Sequence, residues 1–175
     1  FLSVPSRLWV FAFAMLILVG YVLREHTPKK TQGIRMDTAR SGLVHYGVWT
    51  GISLLAIVAV ARILGKPFSF ANASGLHFVL GFLPLSAGQE FAYRGVLIPE
   101  LQKVLSSKWA VITVNAALIA WLHIIYRSPW MAVPLTFFGG VVFTRVYLKH
   151  PNLALATLAH AVLNFVVVGF GFFNV

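Results

Sequence analysis

Residues 41–61 read SGLVHYGVWTGISLLAIVAVA and contain no Asp, Glu, Lys or Arg. A transmembrane helix needs about 20 predominantly apolar residues, so this stretch is long enough to cross a membrane as one helix. Similar stretches recur along the chain, at residues 8–23, 67–89, 109–126, 128–144 and 151–175. The sequence therefore predicts an all-α fold, a polytopic transmembrane helical bundle of about six spans.

The overall composition agrees with this prediction. Of the 175 residues, 59% are hydrophobic and 10% are charged, and the mean hydropathy is +0.84. Soluble domains carry about 25% charged residues, and folding buries only about 70% of the unfolded surface of a chain this long. Lipid must therefore cover much of the apolar surface. We expect a multi-pass integral protein of the cell membrane whose partners include membrane lipids, and no pattern indicates an oligomeric state.

The charge balance and the cysteine content exclude several kinds of site. The net charge is +10, from 14 Lys and Arg against four Asp and Glu. In a soluble protein this excess would suggest nucleic acid. At the ends of membrane spans, however, basic residues set topology and meet anionic headgroups, so we expect no nucleic-acid partner. The chain has no cysteine, which excludes disulfides, thiolate catalysis and cysteine-ligated metals.

The loop between the first two spans is the most basic loop of the chain. It carries Arg24, Lys29, Lys30, Arg35 and Arg40. Because cytoplasmic loops carry the excess of Lys and Arg, we expect this loop in the cytoplasm. With six spans, four further basic residues share its side and four lie on the other side. The first set is Lys103, Lys108, Arg145 and Lys149, and the second is Arg7, Arg62, Lys66 and Arg127. Both termini then face outward.

The third apolar stretch contains residues that interrupt regular helices. Pro84 and Gly88 lie inside it, and Gly95 and Pro99 follow soon after. Proline removes a backbone donor and clashes with the preceding turn of a helix. At membrane depth the freed backbone groups are tolerated only where protein covers them. We therefore predict a broken helix between Pro84 and Gly88.

Six polar side chains fall within or beside the apolar spans. They are Gln89, Glu90 and Arg94 at the end of the third stretch, His123 in the fourth, and His160 and Asn164 in the sixth. An ionisable side chain at the centre of a membrane span costs at least about 2.5–3.5 kcal/mol, so such residues are functional candidates. Four-residue spacings put Glu90 and Arg94 on one helical face, and likewise His160 and Asn164.

These residue types can together hydrolyse an amide bond. A carboxylate and a His can activate water as general base and acid, while a second His and an Asn can donate hydrogen bonds to a developing oxyanion. We therefore expect Glu90, His123, His160 and Asn164 to converge on one cavity. The predicted helix break would bring Glu90 to the depth of His123. The simpler interpretations are a buried ion pair and interhelical hydrogen bonds, the role that we expect for Asn115.

In their order along the chain, the three groups resemble the signature of the CPBP family, the CAAX-protease and bacteriocin-processing membrane proteins, also called the Abi family. The motifs of that family read E-E-x-x-x-R, F-x-x-x-H and H-x-x-x-N. They correspond here to Gln89-Glu90 with Arg94, Ile119 with His123, and His160 with Asn164. The resemblance divides the chain into N-terminal transmembrane helices with the basic loop, residues 1–66, and a CPBP-like catalytic helical core, residues 67–175.

The resemblance implies a glutamic-type intramembrane protease with no cofactor and no metal. In the family, the first Glu and the middle His are held to activate water, the last His and Asn to stabilise the oxyanion, and the Arg to support the carboxylates. The implied catalytic residues are Glu90, His123, His160 and Asn164, with Gln89 and Arg94 in support. The implied substrates are membrane-associated proteins or peptides, cleaved at a C-terminal tail, a sorting anchor or a leader.

Two positions depart from the family pattern. Ile119 stands where Phe is usual, which is a change in packing. Gln89 stands where the first Glu is usual, and an amide cannot act as a general base. Neighbouring positions on an α-helix point about 100° apart, so Glu90 does not simply take the place of Gln89. Either Glu90 serves as the base after a rotation or break of the helix, or the activity is altered or lost.

Two other functions fit the same residues. A zinc-dependent membrane hydrolase could use Glu90, His123 and His160, because two His and one Glu form a known catalytic zinc set. No H-E-x-x-H motif accompanies them. A non-catalytic membrane binding or immunity protein is favoured by the presence of Gln89. Sensitivity to chelators would distinguish the zinc enzyme, and cleavage of a membrane-tethered peptide would exclude the binding protein.

The charge asymmetry yields a prediction about topology. Single cysteines introduced at Thr31 and Asn174 should label from the cytoplasmic side and from the outside, respectively, because the loop that contains Thr31 carries most of the basic residues. The parent chain has no cysteine, so impermeant maleimides applied to intact cells give a clean readout. Labelling of Thr31→Cys from outside would contradict the predicted orientation.

Overall fold

Six helices make up the fold. The structure is a computed structural model that describes residues 4–71, 73–126 and 129–172, with side chains from residue 9 onward. In chain order the helices are α1 Val4–Arg24, α2 Ala39–Ile63, α3 residues 75–104, α4 Lys108–Ile125, α5 Pro129–Lys149 and α6 Leu153–Gly169. No strand occurs within the described residues. The all-α class and the number of helices are thus confirmed.

Several of these helices have the length and composition of membrane spans. Helices α2, α4 and α5 are long and apolar enough to cross a membrane, and residues 9–24 of α1 together with α6 form shorter apolar helices. Large apolar side chains project outward from them, among them Leu16, Leu55, Trp121 and Phe138. Outward-facing apolar surface on this scale is stable only against lipid. The chain is a multi-pass membrane protein.

Helix α3 is continuous but irregular. It consists of α-helical Gly75–His77, π-helical Phe78–Phe82, α-helical Leu83–Glu90, π-helical Phe91–Leu97 and α-helical Ile98–Val104. Each π-helical segment ends two residues before a proline, Pro84 or Pro99. A proline cannot donate to the carbonyl four residues back and clashes with it, so the helix opens into a wider turn. The predicted irregularity of this helix is confirmed, but it takes the form of π-helical segments on either side of Leu83–Glu90, and the helix is not broken between Pro84 and Gly88.

The extent of α3 corrects the expected boundary of the third span. The stretch without charges ends at Gln89, whereas the helix runs to Val104. It continues because Glu90 and Arg94 form an ion pair inside the protein, so their charges do not have to reach the membrane surface. Glu90 therefore lies near the middle of α3 and not at its end.

Helices α4 and α5 form the most extensive contact between two helices of the bundle. Small residues allow their close approach, since a Cβ atom added at Gly140 of α5 would lie 3.1 Å from both Cα and Cβ of Ala116 on α4. The central segment of α3 packs on α6, and α2 packs on α5 and α6. Helix α1 contacts the second π-helical segment of α3.

The loops collect at two opposite ends of the bundle. At one end the basic loop meets the turn before α6. The backbone amide of Leu153 donates to the carbonyl of Gly33 at 2.9 Å, and the side-chain amide of Asn152 donates to the carbonyl of Arg35 at 2.9 Å. At the other end Ser69 donates to the carbonyl of Gly169. Helices α2 and α6 therefore run in the same direction through the bundle. The sidedness stays a prediction, and Arg127 and Asn174 lie outside the described residues.

The contact between α4 and α5 yields a prediction about stability. Gly140→Leu should lower the free energy of unfolding by about 1–3 kcal/mol, because the added side chain must push the two backbones apart. Gly47→Leu on α2 is the matched control, since a Cβ atom there meets nothing within 4 Å. Thermal unfolding in detergent measures both variants. Equal stability of the two would contradict the close packing of α4 against α5.

Candidate active site

A cavity of about 290 Å³ lies inside the bundle and is lined by residues of α2, α3, α4, α5 and α6. Two buried clusters adjoin its lining: Phe143 belongs to a cluster with Tyr46 and Ile98, and Val167 belongs to a cluster with Ala61. Five of the six predicted side chains line this cavity, namely Glu90, Arg94, His123, His160 and Asn164. Gln89 is half-buried and is not among the lining residues.

The carboxylate of Glu90 is the most buried charge of the cavity, with 1% of the residue exposed. Its Oε1 atom accepts from Nδ1 of His160 at 2.7 Å and pairs with Nη1 of Arg94 at 3.0 Å. Its Oε2 atom is buried and has no hydrogen-bond partner among the described residues. One oxygen of the carboxylate is thus fixed by two protein groups, and the other is available for a further ligand.

Arg94 is nearly as buried as its partner, with 3% of the residue exposed. It stands four residues after Glu90, so the two side chains meet on one face of α3. Removing two charges from water costs several kcal/mol for each ion, and their mutual attraction offsets this cost only when both partners are present. The pair is therefore stable as a unit but not as separate charges.

His123 lies in the last, 3₁₀-helical turn of α4, over Leu122–Ile125. Its Nδ1 atom donates to the carbonyl of Ile119 at 2.9 Å, and its ring stacks on Tyr126 with the centroids 5.4 Å apart. Because a carbonyl can only accept, this bond assigns the proton of a neutral imidazole to Nδ1. The Nε2 atom then carries the lone pair, as a general base requires.

Asn164 is fixed by a residue for which the sequence analysis predicted no role. Its Nδ2 atom donates to the hydroxyl of Ser86 at 3.2 Å, and Ser86 is fully buried one turn before Glu90 on α3. An amide nitrogen has two hydrogens. One is used by Ser86 and the second remains for another acceptor. The four-residue spacing between Ser86 and Glu90 was the signal in the sequence that could have identified Ser86.

Helix α2 supplies a wall of the cavity that was also not predicted. The lining residues from this helix are Trp49, Ile52, Ser53, Ala56, Ile57 and Val60. Their positions repeat every three or four residues, which defines one face of a helix. The sequence contains this pattern, but an apolar face in a membrane span looks the same whether it meets lipid, another helix or a cavity.

A comparison with protein families bears on this arrangement. The sequence model of one family, described as Type II CAAX prenyl endopeptidase Rce1-like, matches residues 71–166, more than half of the chain. The chain belongs to this family. Comparisons with curated proteins and with solved structures gave no match.

The Rce1-like match confirms the resemblance that the three motifs indicated, and it contains all six predicted site residues. It extends from the start of α3 into α6, so α1 and α2 lie outside it. The roles of the individual residues, and the division into residues 1–66 and 67–175, stay predictions. Within the described part of the chain, no three His, Asp or Glu side chains are grouped to hold a metal ion.

The buried ion pair yields a prediction about stability. Arg94→Met should lower the free energy of unfolding by about 3–5 kcal/mol, because it leaves the buried carboxylate of Glu90 without its positive partner. Arg35→Met is the matched control, since Arg35 pairs with the exposed Asp37 in a loop and exposed pairs contribute little. Thermal unfolding in detergent measures both variants.

The double variant Glu90→Gln with Arg94→Met completes this test. It should be more stable than Arg94→Met alone, because no uncompensated charge is then buried. If Arg94→Met lowers the free energy of unfolding no more than Arg35→Met does, the buried pair contributes no more to stability than the exposed one.

Proposed function

We propose that this Rce1-like protein is an intramembrane endopeptidase that hydrolyses a peptide bond of a membrane-associated protein or peptide. Family membership supports protease-type chemistry. The observation that carries the proposal is that a carboxylate, a guanidinium, two imidazoles and an amide, all from the family motifs, line one cavity inside the bundle. Ionisable side chains inside a membrane are costly and rare, and they usually mark a functional site.

In the proposed reaction, a water molecule binds to Oε2 of Glu90 and near His123. The carboxylate of Glu90 takes a proton as the water oxygen forms a bond to the carbonyl carbon of the scissile peptide. The tetrahedral intermediate then collapses, the C–N bond breaks, and the same proton passes to the leaving amine. Fixation of Oε1 by Arg94 and His160 supports this role, because it leaves Oε2 as the reactive oxygen.

Asn164 is the proposed donor to the oxyanion. Its amide has a hydrogen beyond the one that Ser86 accepts, and one fixed donor to an oxyanion contributes on the order of 10²–10³-fold in rate. The bond between His160 and Glu90 supports a first role for His160 that differs from the oxyanion role implied by the family resemblance. We assign it first to orienting the carboxylate, and to the oxyanion only when both of its ring nitrogens are protonated.

The walls of the cavity support a substrate with an apolar part. Around the mouth between α2 and α5, the side chains of Trp49, Ile52, Leu135 and Phe138 line the cavity and are exposed at the outer surface of the bundle. A lipid-facing opening with apolar sides admits a membrane-embedded segment or a lipid-modified tail directly from the bilayer. A C-terminal tail, a sorting anchor or a leader held at the membrane would meet this condition.

Glu90 is the proposed base, although Gln89 occupies the position of the family's first Glu. Glu90 lines the cavity and Gln89 does not. The turn of α3 that follows Glu90 is π-helical, so residues beyond it are rotated relative to a regular helix. These features support the first of the two alternatives drawn from the sequence, in which Glu90 serves in an irregular helix.

The second candidate function is a non-catalytic membrane binding or immunity protein, and Gln89 is the observation that favours it. A protein of this kind would use the same cavity to hold an apolar segment without cleaving it. The zinc-dependent hydrolase remains distinguishable by experiment, since chelators would abolish its activity and leave a glutamic-type protease unaffected.

Substitutions at the two adjacent positions test the proposal. Glu90→Gln should lower the rate of cleavage by about 10²–10⁴-fold, as expected for a general base. Gln89→Glu should change the rate little or reduce it, since two adjacent carboxylates in a low dielectric repel each other. Purified protein in liposomes is assayed with quenched fluorescent peptides carrying a prenylated C-terminal tail, a single-span anchor or a leader.

The matched control is Glu100→Gln, a change of the same kind at an exposed pair with Lys103 near the end of α3. It should leave the rate unchanged. Cleavage that survives both Glu90→Gln and Glu90→Ala would contradict the role of Glu90. If Gln89→Glu creates cleavage where the parent chain has none, the first position is the true base and the parent is a binding protein.

A further inference from the structure

A side chain from another helix donates a hydrogen bond to the backbone of the second π-helical segment of α3. The carbonyl of Tyr93 accepts the N–H of Ile98, five residues along, as in a π-helical turn. It also accepts from Nδ2 of Asn115 on α4 at 2.9 Å. Asn115 therefore bonds the backbone at the residue immediately before Arg94, the partner of Glu90.

Asn115 is itself held by a third helix. The hydroxyl of Thr144 on α5 donates to Oδ1 of Asn115 at 2.9 Å, and both residues are completely buried. Gly140, one turn earlier on α5, lies against Ala116, and this close approach brings the two helices within hydrogen-bond distance. The chain of bonds from Thr144 through Asn115 to Tyr93 joins α5, α4 and α3.

This chain of bonds lies between two proposed catalytic groups. On α4, Asn115, Ile119 and His123 follow one another at four-residue intervals and so share a face. On α3 the bonded carbonyl precedes Arg94 by one residue. A bond at this point fixes the rotation of the π-helical turn, and with it the guanidinium that holds Oε1 of Glu90, relative to the helix that carries His123.

We propose that Asn115 and Thr144 are positioning residues for the active site, which hold the π-helical turn so that the Glu90–Arg94 pair faces His123 across the cavity. The inference rests on the proposed function for its catalytic consequence. The physical reason is that a π-helical turn is less regular than an α-helical one. A displacement of about 1 Å in a catalytic group can cost on the order of 10²-fold in rate.

The test compares two substitutions at Thr144, of which one keeps the shape of the side chain and the other keeps its hydroxyl. Thr144→Val removes the donor to Asn115 and keeps the shape, and it should lower kcat by about 10- to 100-fold with KM little changed, because the loss falls on the arrangement of the reacting groups. Thr144→Ser keeps the hydroxyl and should keep kcat close to that of the parent. The matched control is Thr38→Val, which removes a hydroxyl bond of 2.8 Å to the carbonyl of Pro151 in the loops.

A second measurement does not depend on activity. Amide hydrogen exchange of the peptide that covers residues 91–97 should be faster in Asn115→Leu and Thr144→Val than in the parent or in Thr38→Val, since the turn loses its bond to α4. If the parent does not cleave any substrate while the exchange changes as expected, the proposed function is wrong and the positioning role stands.

Three results would overturn the inference. The first is unchanged exchange of residues 91–97 in both variants. The second is a loss of kcat in Thr144→Ser as large as the loss in Thr144→Val. The third is a loss of activity that merely follows the fraction of folded protein, equally in Thr38→Val and Thr144→Val.

Discussion

The ion pair between Glu90 and Arg94 is the interaction on which the rest of the structure depends. Two nearly completely buried charges in the middle of a helix are tolerated only as partners, since either one alone would carry an uncompensated desolvation cost. His160 adds a bond from α6 to the same carboxylate oxygen. The pair thereby lets α3 continue through the bundle, and His160 joins α3 to α6. The Oε2 atom of Glu90 has no hydrogen-bond partner in the part of the chain that the structure describes.

The irregular backbone of α3 makes this arrangement possible. Pro84 and Pro99 each follow a π-helical segment, and the pair lies between them, at the junction of the regular segment Leu83–Glu90 and the second π-helical segment. Within a membrane such a backbone requires cover from other parts of the protein. Asn115 provides part of that cover. Departures from regular helix geometry are common at functional sites, and this one lies beside the proposed catalytic groups.

Two parts of the chain contribute differently to the cavity. The region that matches the Rce1-like family supplies the polar groups, whereas α2, which precedes the match, supplies an apolar wall. In the proposed function, the polar groups hydrolyse an amide. In the same proposal, the apolar wall forms one side of the mouth through which the substrate enters from the bilayer. We therefore expect relatives that share the motifs but differ in α2 to carry out the same chemistry on different membrane-associated substrates.

Hydropathy, helical spacing and the positions of the prolines determined the all-α membrane fold, its six helices, the irregularity of α3 and the polar residues that meet in the cavity, because these depend on composition and on helical period. The sequence misplaced the end of the third span, since Glu90 and Arg94 look like a membrane boundary until their pairing is known. Only the tertiary structure decided which side chains face inward. It excluded Gln89 from the cavity lining, gave Asn164 its partner Ser86, and brought α2 against the site. The physical reason is rotation: the direction of each side chain depends on how π-helical turns and close helix contacts set every helix about its axis, and neither is encoded in local periodicity.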